Sequence, residues 1–474
     1  MTEGRDPDSV GKLAARVARR IEAEVIARGW PVGEVLESEP VLRASHGVSR
    51  TVLREAARLL EHHQVARMRR GPGGGLVICA PGEGPAARAV TTYLDYLGVE
   101  RDDVLQARRL LEPVVARLAA ERISEPGIAE LRRSLDAQLP AAGWAEPFHS
   151  VLSELTGNPA LQLFIDILDQ VTLGHLGGGA RVWEGESQRR VEHARRRHEE
   201  IAEAVVSGDA PLAQARLVRH LDESARWLED TPEADGWRRA SLAASTPVSA
   251  LLGPDATLAE TIAARIYADI VGQGRPIGSV LGSEAELIAR YETSRPVLRA
   301  AVRLLEHHSV AGSRRGPGGG LVVTRPSPRA AIDTTALYLT FRGTTDADLR
   351  VVREAIEVWA VARVTGRRDG HGLPDPLSDG AGFHVELAEL SGNPVLSLFL
   401  RILIDLTGRR PAAGVPSCAG ATDSAGSAGS AGAAGAAGAA ASAEGVHGGI
   451  LEAVRVGDAG LAQHRMRRHL AVPI

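Results

Sequence analysis

The chain repeats a long stretch of its own sequence. Leu59–Val77 reads LLEHHQVARMRRGPGGGLV and Leu304–Val322 reads LLEHHSVAGSRRGPGGGLV, so 16 of 19 positions are identical at a constant offset of 245 residues. Solenoid repeats have periods of roughly 20–50 residues, so this period is far too long for a solenoid. Each copy is long enough to hold a pair of domains. The sequence therefore predicts two fused protomers, which would present two related surfaces to a two-fold symmetric partner.

Composition limits the class of protein. The 474 residues include 44% apolar residues, enough for about three or four packed domains. A net charge of −4 excludes a polycation, so any nucleic-acid surface must be a local basic patch. The only cysteines, Cys79 and Cys418, exclude a disulfide framework and a zinc ribbon. No apolar run approaches the roughly 18 residues that span a bilayer, and the N-terminus is unlike a signal peptide. We therefore expect a cytoplasmic protein with no membrane partner.

Helical periodicity is clear at the start of each copy. Apolar residues recur every three or four positions over Val10–Ile26, which predicts an amphipathic helix. A second, short helix is expected after Ser38, a suitable N-cap residue. The break at His46-Gly47 precedes a third helix over Ser49–Leu60. Two short helices joined by a turn that contains glycine are typical of a helix-turn-helix, whose second helix enters the major groove of DNA.

The glycine cluster of the repeat allows two interpretations. Two short strands, Val65–Arg70 and Leu76–Cys79, flank the sequence GPGGG. A phosphate-binding loop is one interpretation, but the lysine and the spacing of that motif are missing. A hairpin turn is favoured, and a hairpin after a helix-turn-helix is a wing. Arg69 and Arg70 would then lie near its tip, where they could contact phosphates or the minor groove.

The segment LESEPVLRASHGVSRTVLREAARLLEHHQV resembles the winged helix-turn-helix of the GntR family of bacterial transcription regulators, over about 70 residues. The resemblance recurs at Leu281–Val310. It implies that the chain binds a double-stranded DNA operator. The arginine that many members carry in this segment is Pro40 here, so that contact is absent. The expected DNA-binding residues of the first copy are Ser49, Arg50, Thr51, Arg54, Arg69, Arg70 and Gly71.

The second copy departs from this pattern. Pro296 replaces Thr51, and Glu292 replaces the turn residue Gly47. A residue with a side chain resists the left-handed conformation, at a cost of about 1 kcal/mol. We therefore expect two unequal heads that read unlike half-sites, with the first head dominant. The expected DNA-binding residues of the second copy are Ser294, Arg295, Arg299, Arg314, Arg315 and Gly316.

A helical segment with histidine landmarks follows each wing. Arg108 and Glu112 recur as Arg353 and Glu357 at the same offset of 245, with helical spacing around them. The sequence Phe-His, followed by Gly-Asn-Pro, occurs in both copies, although the offset there drops to 235. Each segment then carries two further histidines 22 residues apart, His198 and His220 in the first copy and His447 and His469 in the second.

These landmarks resemble the FCD domain, the all-helical ligand-binding half of the FadR branch of GntR regulators. The resemblance implies a divalent metal such as zinc, nickel or manganese, which helps to hold a small carboxylate effector. The family's metal-binding aspartate is absent, because its places are Ala145 and Gly380, although Glu146 and Asp379 are close in sequence. The expected metal ligands are His149, His198 and His220 in the first copy and His384, His447 and His469 in the second.

The second sensor is interpreted as eroded. It carries a low-complexity Ala/Gly/Ser insert at about 419–443, which opposes helix formation and is expected to be a flexible loop. We therefore expect the first pocket to be the one that senses a ligand. The predicted domains are a winged helix-turn-helix at 9–82, a sensor at 88–230, a linker at 231–255, a second winged helix-turn-helix at 256–326 and a second sensor at 330–474.

The sequence thus predicts a mainly α fold, with two winged helix-turn-helix domains that each carry a small β-hairpin and with two all-helical FCD-like bundles. The predicted function is that of a transcription repressor that acts as an intramolecular pseudo-dimer under the control of an effector. Two alternatives stay open. Three histidines could hold a metal that activates water, as in a metal-dependent hydrolase. The heads could also belong to an architectural DNA binder that has no effector.

Overall fold

The protein is described here from a computed structural model. The chain folds into two compact units, and each unit contains residues from both copies. The head unit comprises Met1–Tyr96 and Thr246–Thr344, and the sensor unit comprises Leu97–Ser245 and Thr345–Ile474. The structure describes residues 7–69, 71, 73–136, 147–175, 187–229, 257–307, 309–314, 316, 319–325, 327–365, 372–374, 380–409 and 445–471. The predicted linker at 231–255 and the insert at 419–443 lie entirely outside the described residues.

The first head is the predicted helix-turn-helix followed by a wing. Its core is formed by apolar side chains of the first and third helices, including Ile21, Leu53 and Leu60, all of them buried. The strands pair antiparallel, with Ala66 opposite Ile78, so the glycine cluster connects a hairpin as expected. The elements are α1 (Pro7–Ala27), α2 (Glu39–Ser45), α3 (Arg50–His62), β1 (Ala66–Arg69), β2 (Gly75–Ile78) and, after the wing, α4 (Glu83–Leu97).

The second head has the same order of elements and one more strand. Its hairpin is joined by a short strand that precedes the helix-turn-helix, so the sheet order is β3-β5-β4. In the first head the corresponding contact is a single bridge between Val35 and Val77. The elements are α11 (Leu258–Gly272), β3 (Val280–Gly282), α12 (Glu284–Arg290), α13 (Arg295–His307), β4 (Ala311–Arg314), β5 (Gly320–Val323) and α14 (Pro328–Phe341), where α5 to α10 belong to the first sensor.

Close backbone packing explains the last glycine of each cluster. A Cβ atom on Gly75 would lie 2.4 Å from the carbonyl oxygen of Glu37, and one on Gly320 would lie 2.4 Å from that of Gly282. No real side chain fits at such a distance, so the start of β2 and of β5 requires glycine. The cluster is therefore explained by strand packing and a turn, without any phosphate.

Within the head unit, each head packs on the helix that follows the wing of the other copy. Leu337 of α14 belongs to the core of the first head, and Phe341 of α14 packs its ring 5.4 Å from that of Trp30. In the opposite direction, the hydroxyl of Tyr267 in α11 donates to Asp95 Oδ2 of α4 at 2.5 Å. We call this arrangement the crossed packing of the heads. It ties the two copies together without any contribution from the sensors.

The sensors are helical throughout their described parts. In each copy, one long helix packs against the other helices of the same sensor. The first sensor consists of α5 (Arg101–Arg122), α6 (Glu125–Asp136), α7 (Pro147–Glu154), α8 (Pro159–His175), α9 (Ser187–Val206) and α10 (Ala210–Glu229). The second consists of α15 (Asp346–Thr365), α16 (Gly380–Leu390), α17 (Pro394–Arg409), α18 (445–455) and α19 (Ala459–Ala471).

Within the sensor unit, the two copies pair through matching residues. Phe164 of α8 and Phe399 of α17 stack with ring centroids 3.9 Å apart. The amide of Asn158 donates to the carbonyl oxygen of Asp348 at 3.0 Å, and the amide of Asn393 donates to that of Asp103 at 2.9 Å. The contacts are reciprocal, as expected for an interface with two-fold pseudosymmetry.

The fold class predicted from the sequence is confirmed, since the chain is mainly helical and its described strands are confined to the two small sheets. None of the described helices is long and apolar enough to cross a membrane.

Candidate functional sites

The third helix of the first head presents arginines on its exposed face. Ser49 is the N-cap of α3, and its hydroxyl accepts a hydrogen bond from the backbone N–H of Val52. The side chains of Arg50 and Arg54 are 60% and 54% exposed. Glu39 of α2 holds both, since its Oε1 lies 2.7 Å from Nε of Arg50 and 4.0 Å from Nε of Arg54. The predicted start of the helix is thus confirmed, and its arginines are accessible to a ligand.

The second head repeats this arrangement. Arg295 and Arg299 of α13 are exposed, and Glu284 Oε1 lies 3.6 Å and 2.8 Å from their Nε atoms. Pro296 occupies the second position of the helix, where its missing N–H removes no intrahelical bond. Proline cannot replace the hydroxyl of Thr51, so the two heads present different groups at the same place.

The turn before this helix is left-handed in both heads. Gly47 has a φ of +61° and Glu292 a φ of +50°. The sequence predicted that glutamate would resist this conformation, and the fold imposes it nevertheless. Packing of the surrounding helices must offset the cost of about 1 kcal/mol. A glycine at this position is therefore favourable but not required.

Two of the remaining arginines, Arg69 and Arg314, lie at the surface near the wing tips. Arg69 is exposed at the end of β1, and its guanidinium donates to the carbonyl oxygen of Gly73 at 3.0 Å. Arg314 is exposed at the end of β4. Gly71 and Gly316 have φ values of +99° and +102°, which glycine adopts without strain. The expected contacts Arg70 and Arg315 lie outside the described residues.

The three expected histidines of the first sensor come together. His149 on α7, His198 on α9 and His220 on α10 are buried, and each offers a ring nitrogen within 4.8 Å of the others. Nε2 of His198 lies 3.2 Å from Nε2 of His220. The ring of Phe148 stacks on that of His198 at 4.2 Å. We call this group the first histidine cluster.

A buried carboxylate orients the cluster. Oε2 of Glu112, on α5, lies 2.6 Å from Nδ1 of His149, which leaves Nε2 of that ring for a ligand. Oε1 of Glu112 lies 2.6 Å from Nε of Arg108. Burial alone would raise the pKa of Glu112, but the charges of Arg108 and His149 lower this pKa to about 2. Glu112 is therefore ionised near neutral pH.

Arg108 has a second carboxylate partner. Its Nη1 lies 2.6 Å from Oδ1 of Asp169, on α8, and 3.3 Å from the hydroxyl of Thr172. Burial raises the pKa of Asp169, although Arg108 opposes that rise. The guanidinium of the first copy is thus paired along its Nε edge and at one of its terminal nitrogens.

The second sensor assembles its histidines as closely. His384 on α16, His447 on α18 and His469 on α19 offer nitrogens within 4.8 Å of one another. Nε2 of His469 lies 3.1 Å from Nε2 of His384 and 3.3 Å from Nε2 of His447. Glu357 forms an ion pair with Nδ1 of His384 and holds Nε of Arg353 at 2.9 Å. This group is the second histidine cluster, and the expected erosion of the copy has not dispersed it.

One carboxylate is missing from the second sensor. The offset of 235 that relates Phe164 to Phe399 and Thr172 to Thr407 places Ile404 where the first copy has Asp169. Arg353 is 7% exposed, and Glu357 is its sole acidic partner among the described residues. The two clusters therefore share their histidines but differ in charge.

Burial favours the neutral, metal-binding form in three of the six histidines. It acts in the same direction at His149, but there the charge and the hydrogen bond of Glu112 outweigh it and raise the pKa. Burial lowers the pKa of His447 and of His469 to about 4, and repulsion from His384 adds to the effect. Burial likewise places the pKa of His220 well below its usual value. Neutral imidazoles have a free lone pair near pH 7. Three such nitrogens fit zinc or a related divalent ion and leave coordination positions open for water or a ligand.

The Arg-Glu pairs repeat visibly in the sequence, but their contact with the histidines was not predicted from it. Glu112 and Glu357 carried a signal, because an Arg and a Glu four residues apart recur in both copies. Asp169 carried none, because only one copy has it. Of the residues near the family's aspartate, Ala145, Glu146 and Asp379 lie outside the described residues, and Gly380 opens α16 without a side chain to offer. The part of the chain that the structure describes thus brings only histidines into each metal-binding group.

Comparison with known families gives two matches, and each occurs twice. The model described as "Bacterial regulatory proteins, gntR family" matches residues 13–76 and 258–321. The model described as "FCD domain" matches residues 103–223 and 329–472, which is more than half of the chain. Both models thus match once in each copy.

Curated relatives align with about one copy. The "Exu regulon transcriptional regulator" of Escherichia coli (strain K12) is 28% identical over 221 residues, which are 45% of this chain and 81% of the relative. The "HTH-type transcriptional regulator LutR" of Bacillus subtilis (strain 168) is 29% identical over 203 residues, which are 40% of this chain and 89% of the relative. Among solved structures, "Streptococcus agalactiae GntR" is 22% identical, with a TM-score of 0.32, over 45% of this chain and 99% of that chain.

Proposed function

Because this chain belongs to the gntR family of bacterial regulatory proteins and is a DNA-binding transcription regulator with two FCD domains, we propose that it is a repressor in which one polypeptide supplies both halves of an operator-binding dimer. The proposal further assigns it a divalent metal and a small carboxylate effector. The chain is not an enzyme, since its families and relatives are regulators. A hydrolase that uses the histidines is therefore not favoured. A protein of this kind acts in the cytoplasm, where the operator lies.

The observation that carries the proposal is the pair of exposed arginines at the start of α3 and of α13. A guanidinium can donate to O6 and N7 of a guanine together, and the first turn of such a helix meets base edges. In the free protein, Glu39 and Glu284 hold these arginines. Each arginine can exchange that exposed ion pair for a base or a phosphate at little cost, because exposed ion pairs contribute only about 0–1 kcal/mol.

Two sets of contacts support a pseudo-dimer within one chain. In the head unit, the crossed packing joins α14 to the first head and α11 to α4. In the sensor unit, Phe164 stacks on Phe399, and reciprocal amide bonds join the copies. Surfaces that two separate protomers would use to pair are thus used within the polypeptide.

The DNA-binding part can be tested by fluorescence anisotropy on the fragment upstream of the protein's own gene, with excess unrelated duplex as competitor. We expect salt-sensitive binding of one chain per site. Arg50→Ala should weaken it, whereas Arg20→Ala, at an exposed arginine of α1, should not. Two chains per site would contradict the pseudo-dimer. No binding to any duplex at low salt would contradict the assignment of the DNA-binding residues.

The proposed metal ligands are His149, His198 and His220 in the first cluster and His384, His447 and His469 in the second. A bound divalent ion would supply a positive centre for an anionic effector. Zinc titration followed by calorimetry should find two ions per chain. His220→Ala should reduce this number to one, whereas His193→Ala, at an exposed histidine paired with Glu223, should leave it at two. Unchanged stoichiometry in His220→Ala would contradict the assignment of the first cluster.

The effector proposal rests on the FCD domains and on the buried arginine beside each cluster. An effector can regulate DNA binding only if it binds the DNA-bound and the free state unequally. Operator binding should therefore change when small carboxylates are added to the zinc-loaded protein. If neither zinc nor any carboxylate changes the affinity, the chain is an architectural DNA binder instead.

A further inference from the structure

We infer that the two sensors have different ligand chemistry, and that the terminal guanidinium nitrogens of Arg353 form a carboxylate site that Asp169 closes in the first sensor. This inference rests on the proposed function, because it concerns the anionic effector of the same domains. It reverses the expectation from the sequence, in which the second sensor was the eroded one.

The two arginines have different partners. Arg108 uses Nε to bind Glu112 and Nη1 to bind Asp169 and Thr172. Arg353 uses Nε to bind Glu357. Within the described residues, Nη1 and Nη2 of Arg353 have no hydrogen-bond partner. The edge of the guanidinium that a carboxylate occupies in the first copy is thus unpaired in the second.

The unpaired edge of Arg353 has little contact with water. The side chain is 8% exposed, and its Nη atoms are not among the fully buried atoms that lack a partner. A guanidinium with so little access to water gains from an acceptor that a ligand supplies, because hydrogen bonds between charged groups are the strong ones. Two neighbouring N–H groups of a guanidinium match the two oxygens of a carboxylate. A small carboxylate is therefore the ligand that this edge fits.

The two sites also differ in the number of carboxyl groups around the arginine. The first site places two of them, those of Glu112 and Asp169, against the single guanidinium of Arg108. The second site places only Glu357 against Arg353 within the described residues. The first site therefore favours a cation and repels an anion, whereas the second accepts an anion without that repulsion. Ile404, which replaces Asp169, is half-buried, so the position is not sealed from solvent.

The test uses the full chain without metal, so that zinc cannot hold the probe. Trifluoroacetate is titrated in and followed by fluorine NMR, with trifluoroethanol as the uncharged control. Wild-type protein should bind trifluoroacetate at one site and show no matching effect with trifluoroethanol. Ile404→Asp should weaken binding about tenfold or more. The new carboxylate would occupy the edge of the guanidinium, and the probe would lose a hydrogen bond to a charged group. Ile404→Val, which adds no charge, should bind trifluoroacetate much more tightly than Ile404→Asp.

The reverse change makes the test independent of damage to the second sensor. Asp169→Ile should open the first site and roughly double the amount of trifluoroacetate bound per chain. A variant that had only lost its fold would not show this increase in binding. The first copy carries aspartate beside an arginine at the position of Ile404, so we expect Ile404→Asp to fold. Melting curves of each variant check that the fold is kept. Equal binding by wild type and Ile404→Asp, or no gain in Asp169→Ile, would overturn the inference.

The inference and the proposed function can fail separately. If carboxylates change operator binding but Ile404→Asp does not reduce trifluoroacetate binding, effector control is supported and the site at Arg353 is contradicted. If the variants bind trifluoroacetate as expected but no carboxylate changes operator binding, the site at Arg353 is supported and effector control is contradicted.

Discussion

Replacing Asn158 by serine should separate two contributions that this side chain makes to stability. Its Oδ1 accepts hydrogen bonds from the backbone N–H groups of Ala160 and Leu161 at 3.0 Å and 3.1 Å, which caps α8. Its amide donates to the carbonyl oxygen of Asp348 in the other copy at 3.0 Å. Serine caps a helix about as well as asparagine but cannot reach across the interface. Asn158→Ser therefore removes the bond between copies and keeps the cap.

The magnitudes follow from these contacts. Asn158 is 2% exposed, so its hydrogen bonds are shielded from water. Loss of one such bond costs about 1 kcal/mol, and loss of a cap costs about 1 kcal/mol more. Asn158→Ser should thus lower the free energy of unfolding of the sensors by about 1 kcal/mol, and Asn158→Ala by about 2 kcal/mol.

Urea unfolding monitored by circular dichroism measures both values. Asp209→Ala provides a control, because Asp209 caps α10 through the N–H of Leu212 and its hydrogen bonds to described residues stay within its own copy. That variant should lose only the capping contribution. If Asn158→Ser is as stable as wild type while Asn158→Ala is not, the bond to Asp348 contributes nothing. The reasoning that pairs the sensors through their asparagines would then be wrong.

Three further outcomes are expected. Arg50→Ala should weaken operator binding in the anisotropy assay more than Arg295→Ala, since the second head lacks a threonine hydroxyl beside its arginine; equal losses would contradict a dominant first head. Tyr267→Phe removes a buried hydrogen bond to a carboxylate and should lower the stability of the head unit by about 2 kcal/mol in urea unfolding, whereas an unchanged midpoint would argue against the crossed packing. Burial lowers the pKa of His447 and His469 to about 4, whereas these histidines take up protons near pH 6.5 in the unfolded chain. Their contribution to the stability of the metal-free sensors should therefore be constant above that pH and fall as pH decreases from about 6.5 to 4, and the variant His447→Gln/His469→Gln should show a smaller fall in urea unfolding over that window.

Local pattern predicted the elements of each head but not how the heads combine. The spacing of apolar residues and the Ser49 cap placed α1 and α3 within a few residues, because both signals are local. The contact between Trp30 and Phe341 spans more than 300 residues of sequence. No periodicity encodes such a contact. Two heads were therefore predictable from the sequence, but the use of a helix of the other copy by each head was not.

The sensors show a similar division. Three histidines at family positions were enough to predict each cluster, because their types and spacing are repeated. The left-handed turn at Glu292 shows that local preference can be overridden by the packing around it. Asp169 and its replacement by Ile404 became meaningful only when Arg108 and Arg353 could be compared in space. A difference between the copies is a weak signal in sequence and a clear one beside a buried charge.

The crossed packing also determines what a cut between the copies would do. Leu337 completes the core of the first head although it lies beyond residues 231–255, where the copies are joined. A polypeptide that ended there would lack part of its own hydrophobic interior, and the remaining polypeptide would lack α4, on which Tyr267 depends. The two halves should therefore behave as complementary fragments that are unstable apart and reassemble when expressed together. A gene split at this point would encode an obligate heterodimer.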